Sequence, residues 1–411
     1  MRETTRMRRL RVAGTLLSFS LLCAAVFSGS PAGAAAAGSE EGPAKKLNAE
    51  FTISNSPGDT GREDFPSPGD DLLDPLTWAP PAGWRTFRLH TLTEGANTLD
   101  VNTDYRLVIP YGHVTLSRGI TINGGRNLVI VQPDGKGDYR LGGRITHKGS
   151  FSSDDPALEL RDIGWDMQNR PTADGRIIHI EGVLFDGPGL NDVIAGGDPK
   201  AIIQIQNVHV VETFGAQSLA HADGFQPYAT FKESRIDKFT IGATGDPTTG
   251  AGYQGLKLDT SEALREGRPA RVQGLVRLRR VNIHGKAREA ALLWWSETED
   301  GPIRVDNGTV WLNHYGRSFA NGNVVFLEDH IFGGMDNVNL MKSQPVQSDD
   351  LGTYVKFPRD LDFYGRVQHR GWNDKAAARI YEGDPPGGDY CPPSVPGRNY
   401  VSPGYMSQQV R

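Results

Sequence analysis

The chain has 411 residues and a formal net charge of −5, with Lys and Arg interspersed among Asp and Glu. That balance excludes an argument for a basic surface built to hold nucleic acid or an anionic membrane. Fifty glycines between many short apolar runs argue for all-β structure with frequent turns.

The first segment, "RETTRMRRLRV", is positive, and the apolar run "AGTLLSFSLLCAAVF" and the small residues "SGSPAGAAAAG" follow it. These are the three parts of a secretory signal, and the apolar run is too short for a comfortable membrane span. A signal peptide is expected over 1–37, with cleavage between Ala34 and Ala37. Arg8 and Arg9 are a weak twin-arginine signal. Removal of Cys23 with the signal leaves Cys391 as the sole cysteine, so no intrachain disulfide is expected and the core must hold the exported chain together. Residues 38–75 are rich in Gly, Pro, Ser, Glu and Asp and read as a flexible lead-in.

A β domain is expected over 76–350. Its runs include "YRLVIPY", "VTLSRGITI", "NLVIVQ", "SRIDKFTIG", "LVRLRRVNIHG" and "NVVFLEDHIFGG". Nearly all alternate apolar and polar residues, the period of a half-buried strand. "RIIHIEGVLFDGPG" and "AIIQIQNVHVVETFG" superimpose at an offset of about 25 residues, and similar units recur at intervals of about 20 to 36. Short strands that repeat without crossover helices stack in parallel only if the chain coils on itself. The expected fold is a right-handed, single-stranded parallel β-helix, with a β-sandwich as the alternative. Residues 351–411, with "DPPGGDYCPPSVPG", are expected to form an extended tail packing on the solenoid and blunting a sheet edge.

The rungs "ITINGGRNLVIVQ" and "IxIxNVxV" resemble those of pectate-lyase-like secreted β-helix proteins. "HADGFQ", the later "YQGLKLD" and "NYVSPGY" near the end resemble uncharacterised actinobacterial members of that group. The resemblance spans roughly residues 97 to 345 and implies the β-helix fold. It also implies a Lys or Arg base and calcium held by carboxylates. No full active-site signature of a lyase subfamily is present.

Setting Gly224 against Gly255 stacks Phe225 on Leu256, Gln226 on Lys257 and Tyr228 on Asp259. Alternation then turns Phe225, Leu256 and Leu258 inward and Gln226, Tyr228, Lys257 and Asp259 outward. Extended by parity, the outward strip takes in His179, Glu181, Gln204 and Gln206 below and Trp295 and Glu297 above. Five rungs about 4.8 Å apart make it about 20 Å long. Its amides, carboxylates, cation and aromatic planes suit the hydroxyl edges and C–H faces of sugars. A plain glutamine ladder at Gln204 and Gln226, or a merely solvated sheet, is the structural alternative.

The expected function is a secreted enzyme that cleaves an acidic, uronate-containing polysaccharide by β-elimination. Lys257 is the candidate base and His221 or Tyr228 the candidate acid. Gln226, Gln204 and Trp295 are candidates for holding substrate. Asp223 with Asp259 or Glu181 is the candidate calcium pair. Hydrolysis is disfavoured for Asp223 with Asp259, since the register sets them roughly 16 Å apart along the strand; Asp223 with Asp186 stays open. The alternative function is a non-catalytic glycan-binding or cell-surface protein on the same scaffold. Polysaccharide is the expected partner of a monomer that keeps no membrane contact after signal cleavage. His284 and His314, at two strand ends, suggest a second face. Trp294, and Glu328, Asp329 and His330, carry weaker signals.

Overall fold

The computed structural model describes residues 87–110, 113–131, 143–149, 156–161, 175–215, 222–227, 231–244, 252–258, 275–287, 291–297, 303–305, 308–319, 324–329, 336–339, 346–358, 377–394, 396–397 and 400. Among them are 23 strands and no α-helix, and the pairings are parallel except at the C-terminal end. The chain is all-β with a parallel-dominated sheet, as the alternating runs predict.

The pairing repeats every third strand. Gly95–Leu99 pairs with Ile120–Gly124, Tyr105–Val108 with Leu128–Val131, and His113–Leu116 with Gly143–His147. Three ladders result, here named the first, second and third faces, and this pattern fits a solenoid. The first face continues through Leu158–Arg161, the start of Ile194–Val210, Phe225–Gln226, Gln254–Leu258, Ala291–Glu297 and Val325–Asp329. The second and third share the long strands Phe231–Ile241 and Leu275–Gly285, one half to each face, and Ile194–Val210 runs on from the first face through both. Ile178 meets Ile203, 25 residues on, which is the offset of the two superimposed runs. Elsewhere a coil takes 42 residues, as between Thr240 and Asn282, or 50, as between Leu128 and Ile178.

Alternation explains the core. On the first face Ile120, Leu158, Ile194, Phe225, Leu256 and Leu293 stack in one inward row, all fully buried. Each such side chain contributes about 1.5–3 kcal/mol relative to exposure, an upper estimate because unfolded chains are partly collapsed. A single substitution therefore weakens one rung without erasing the row.

The corner between the second and third faces is one residue wide in four successive coils. Gly182, Asn207, Lys238 and Arg280 occupy it with φ of 68°, 52°, 51° and 47°. A left-handed residue turns the strand sharply with no loop, at a cost of roughly 1–2 kcal/mol for a non-glycine. At Arg280 the strain is offset locally. Asp237, on the preceding coil, accepts hydrogen bonds from Arg280 Nε (2.7 Å) and Nη2 (2.6 Å), and from Arg279 Nη2. Burial pushes the Asp237 carboxyl up, but the two guanidiniums outweigh it and hold the group below the ordinary carboxylate range.

The C-terminal end is closed by antiparallel strands. Ala377–Glu382 adds in parallel to Val310–His314, Thr353–Pro358 lies antiparallel to it, and Asp336–Asn339 lies antiparallel to Val325–Asp329. Beyond Glu382 the chain runs back over the third face as a strap, meeting earlier coils in turn. Asn313 Nδ2 donates to Asp384 (2.8 Å), and Asn282 Nδ2 to Asp389 (2.7 Å). Cys391 N donates to Thr240 Oγ1 (3.0 Å), and Cys391 O lies 2.7 Å from His209 Nδ1. Gly397 N donates to Gly182 O (2.9 Å). Asn207 Nδ2 donates to Tyr400 Oη (2.7 Å), whose hydroxyl donates to Glu181 Oε1 (3.0 Å). Gly182 is needed here twice over, because a Cβ would fall 2.1 Å from the Tyr400 ring.

Candidate functional site

The stretch around Gly224 lies on the first face. Gly224 N donates to Gly255 O (2.7 Å) and Phe225 pairs with Leu256, which is the register the two glycines predict. Gln226 therefore neighbours Lys257 on the outward row. Oriented to satisfy both neighbours, the Gln226 amide donates from Nε2 to Asp192 Oδ2 (3.2 Å) and accepts at Oε1 from Lys257 Nζ (3.0 Å). Asp192 Oδ1 accepts from Asp223 N (3.2 Å), and Val193 N donates to Asp223 O (2.8 Å). Three successive coils thus bring Asp192, Asp223, Gln226 and Lys257 together.

This cluster is not the open strip that alternation suggests. Lys257 and Gln226 are each only 4% exposed, and Asp223 is fully buried. Buried charge and amide are tolerable because the chain Asp192–Gln226–Lys257 is hydrogen-bonded throughout. Ala195 lies next on the row, and then Glu159, which accepts from Thr121 Oγ1 (3.2 Å).

Other expected members lie elsewhere. His179, Glu181, Gln204 and Gln206 point outward as parity requires, but on the second face, not beside Gln226. His179 Nδ1 lies 2.9 Å from Gln204 Oε1 and its Nε2 3.1 Å from Glu181 Oε2, with all three buried. The error is physical: a period of two separates in from out but does not say which face a strand joins. Trp295 pairs with Leu258, on the inward register, and Trp294 pairs with Lys257. By register Trp294, not Trp295, follows Lys257 along the row, because Leu256 pairs with Leu293. Asp186 is on the third face, held by Arg144 and Thr146, not beside Asp223. His221, Tyr228, Asp259 and His330 lie outside the described residues, and Glu297, Glu328 and Asp329 lie on paired first-face strands. Among the described residues no group of three or more His, Cys, Asp or Glu is placed to hold a metal ion. Asp223 is the described half of the pair expected to take calcium.

A second polar cluster stands where the strap crosses the last coils. His284 Nε2 is 2.9 Å from Asp389 Oδ1, which also accepts from Asn282 Nδ2. Asn282 Oδ1 is fixed in turn by Thr240 Oγ1 (2.6 Å) and Tyr390 N (3.0 Å). His284 Nδ1 lies 3.3 Å from Tyr315 Oη and 3.4 Å from Asp384 Oδ1. The imidazole and phenol rings stack at 12° with centroids 6.0 Å apart. Burial pushes the Asp389 carboxyl up, but His284 and Asn282 outweigh it and hold it below the ordinary range. Burial, then the charges of Asp384 and Asp389, push the Tyr315 phenol up. Unlike the first cluster this one is open, since Tyr315 is 48% exposed. The strand-end position of His284 is visible in the sequence; its partners in the strap, 105 residues on, are not. His314, its apparent counterpart, instead places Nε2 3.0 Å from Ala287 O, and burial lowers its pKa.

Comparison with protein-family models, with curated proteins and with solved structures returned no match. Chemically, the first cluster offers an amine oriented by an amide beside a carboxylate. The second offers an imidazole held between a buried carboxylate and an exposed phenol.

Proposed function

We propose that the chain is an exported, right-handed β-helix protein that cleaves an acidic polysaccharide by β-elimination at the Asp192–Gln226–Lys257 cluster. The observation that carries this reading is the 3.0 Å contact between Gln226 Oε1 and Lys257 Nζ, made across adjacent coils. Gln226 aims the amine, and Lys257 as the free base takes the proton from C5 of a uronate. The electron pair forms C4=C5, the C4–O4 bond breaks, and His221 or Tyr228 gives the departing oxygen its proton. Calcium at Asp223 and Asp259, as in the resembled family, would neutralise the uronate carboxylate; no step above depends on it.

A panel of uronate polysaccharides followed by ultraviolet absorbance tests the reading. Unsaturated product that disappears in Lys257→Ala supports it. Full activity in Lys257→Ala removes Lys257 as base, and insensitivity to a chelator removes calcium. The burial of Lys257 and Gln226 favours a second reading, a non-catalytic glycan-binding protein in which the cluster is structural. Retention on one polymer without absorbance from any would favour it.

A further inference from the structure

The cluster on the strap has the connectivity of a nucleophile, a base and an orienting acid. Such sites are identified by geometry and role, whatever the chain order. In the tautomer with Nε2–H donated to Asp389, Nδ1 is the acceptor facing Tyr315 Oη, with Asn282 Nδ2 3.1 Å from Nε2 and Asp384 Oδ1 3.4 Å from Nδ1. A gap of 3.3 Å is long for a hydrogen bond to a hydroxyl but usual for a catalytic pair without ligand. The phenol, at 48% exposure, is the only one of the three that a ligand would meet first. Lys286 Nζ, 5.4 Å from the Tyr315 ring centroid, adds positive charge at the same opening.

We propose that Tyr315, His284 and Asp389 form a nucleophilic centre that transfers the acyl group of small O-acyl esters. Tyr315 Oη attacks the acyl carbon while its proton passes to His284 Nδ1. The bond from acyl carbon to alkoxy oxygen breaks, and Nδ1 returns that proton to the departing alcohol. Water then adds to the aryl ester, Nδ1 takes its proton, and the carboxylic acid leaves as Tyr315 Oη regains a proton. Asp389 is a positioning residue: it fixes the imidazole tautomer through Nε2 and carries no proton itself. Even with its pKa raised, a phenol ionises far more readily than the aliphatic hydroxyl that usually fills this role. The proposal is independent of Lys257 and of any uronate chemistry.

The test uses the full chain and p-nitrophenyl acetate. Release of p-nitrophenol with an acetyl group on the Tyr315 peptide, read by mass spectrometry, is the expected result. Tyr315→Phe and His284→Gln are expected to lose about 100-fold or more in rate. Asp384 Oδ1, 3.4 Å from His284 Nδ1, opposes the phenolate but favours the imidazolium, so the gain that no loss of folding could mimic is the acetyl group itself, carried by Tyr315 and absent from Tyr315→Phe. The groups facing His284 are Asp384 and Asp389 from the strap, Tyr315 after the neighbouring strand, and His209 and Lys286. Asp389→Asn is expected to lower kcat about tenfold or more and to leave KM unchanged, the split of a group that sets the imidazole without touching the ester. An unchanged rate in Tyr315→Phe, or acetyl found on Lys286 and absent from Tyr315, would overturn the proposal. Uronate elimination lost in Lys257→Ala with ester cleavage intact would show the two sites to be separate.

Discussion

The two polar clusters are assembled by different means. Asp192, Gln226 and Lys257 meet because consecutive coils stack in register on one face. His284, Tyr315 and Asp389 meet because a strap from beyond the last coil returns over the third face. The first cluster is largely buried, with Gln226 and Lys257 each 4% exposed; the second opens to solvent at Tyr315. Stacking alone makes polar groups satisfy one another, whereas an added segment crossing the stack can leave one of them facing out.

The largest test of this contrast is removal of residues 383–411. Tyr400 and the strap's hydrogen bonds to Asn282, Thr240, His209 and Glu181 would all be lost. A loss of about 5 kcal/mol or more is expected by denaturant titration. A truncated chain as stable as the full one would mean that the strap merely lies on the third face.

Asp237→Ala comes next. It removes the carboxylate that the two buried guanidiniums of Arg279 and Arg280 share, and about 3–5 kcal/mol of destabilisation is expected. The same group gives an acid limit. Its folded pKa lies below the unfolded value of 3.8, so its contribution is complete above that value and disappears as pH falls through the lower, folded one. Stability of Asp237→Ala that still fell as steeply as wild type over that acid window would sink the assignment.

Gly182→Ala is smaller and bears on the strap alone. The new Cβ would meet the Tyr400 ring from a left-handed backbone, and a loss of about 1–3 kcal/mol is expected. Tyr400→Ala in the same chain should absorb most of that penalty, and a double-mutant cycle without coupling would contradict the contact. The smallest stability effect belongs to Asp384→Asn, expected within about 0.5 kcal/mol because the side chain is 55% exposed. A change larger than that would make Asp384 a fastening of the strap and blur the difference between the clusters.

What the sequence reveals follows the same division. Alternation in "RIIHIE" and "AIIQIQ" gives strands, their offset gives the pairing of Ile178 with Ile203, and two glycines give that of Phe225 with Leu256. All of these depend on local period and repetition. Gln204 is assigned to the wrong face because in-and-out parity is blind to corners. The corners have a signature in "EGV", "QNV", "DKF" and "RRV", where a left-handed residue precedes an inward apolar one, but Lys and Arg there do not read as turn formers. The partners of His284 are illegible for another reason: nothing in "DPPGGDYC" tells which coil it will cross.

The one-residue corner at Gly182, Asn207, Lys238 and Arg280 also divides the molecule into parts that can and cannot vary in length. An extra residue at this hinge would invert every side chain downstream on the third face and misalign the rung with both neighbours. The exposed turn at Asp350 and Leu351, between two antiparallel strands, carries no such constraint, so foreign peptides grafted into the scaffold belong there.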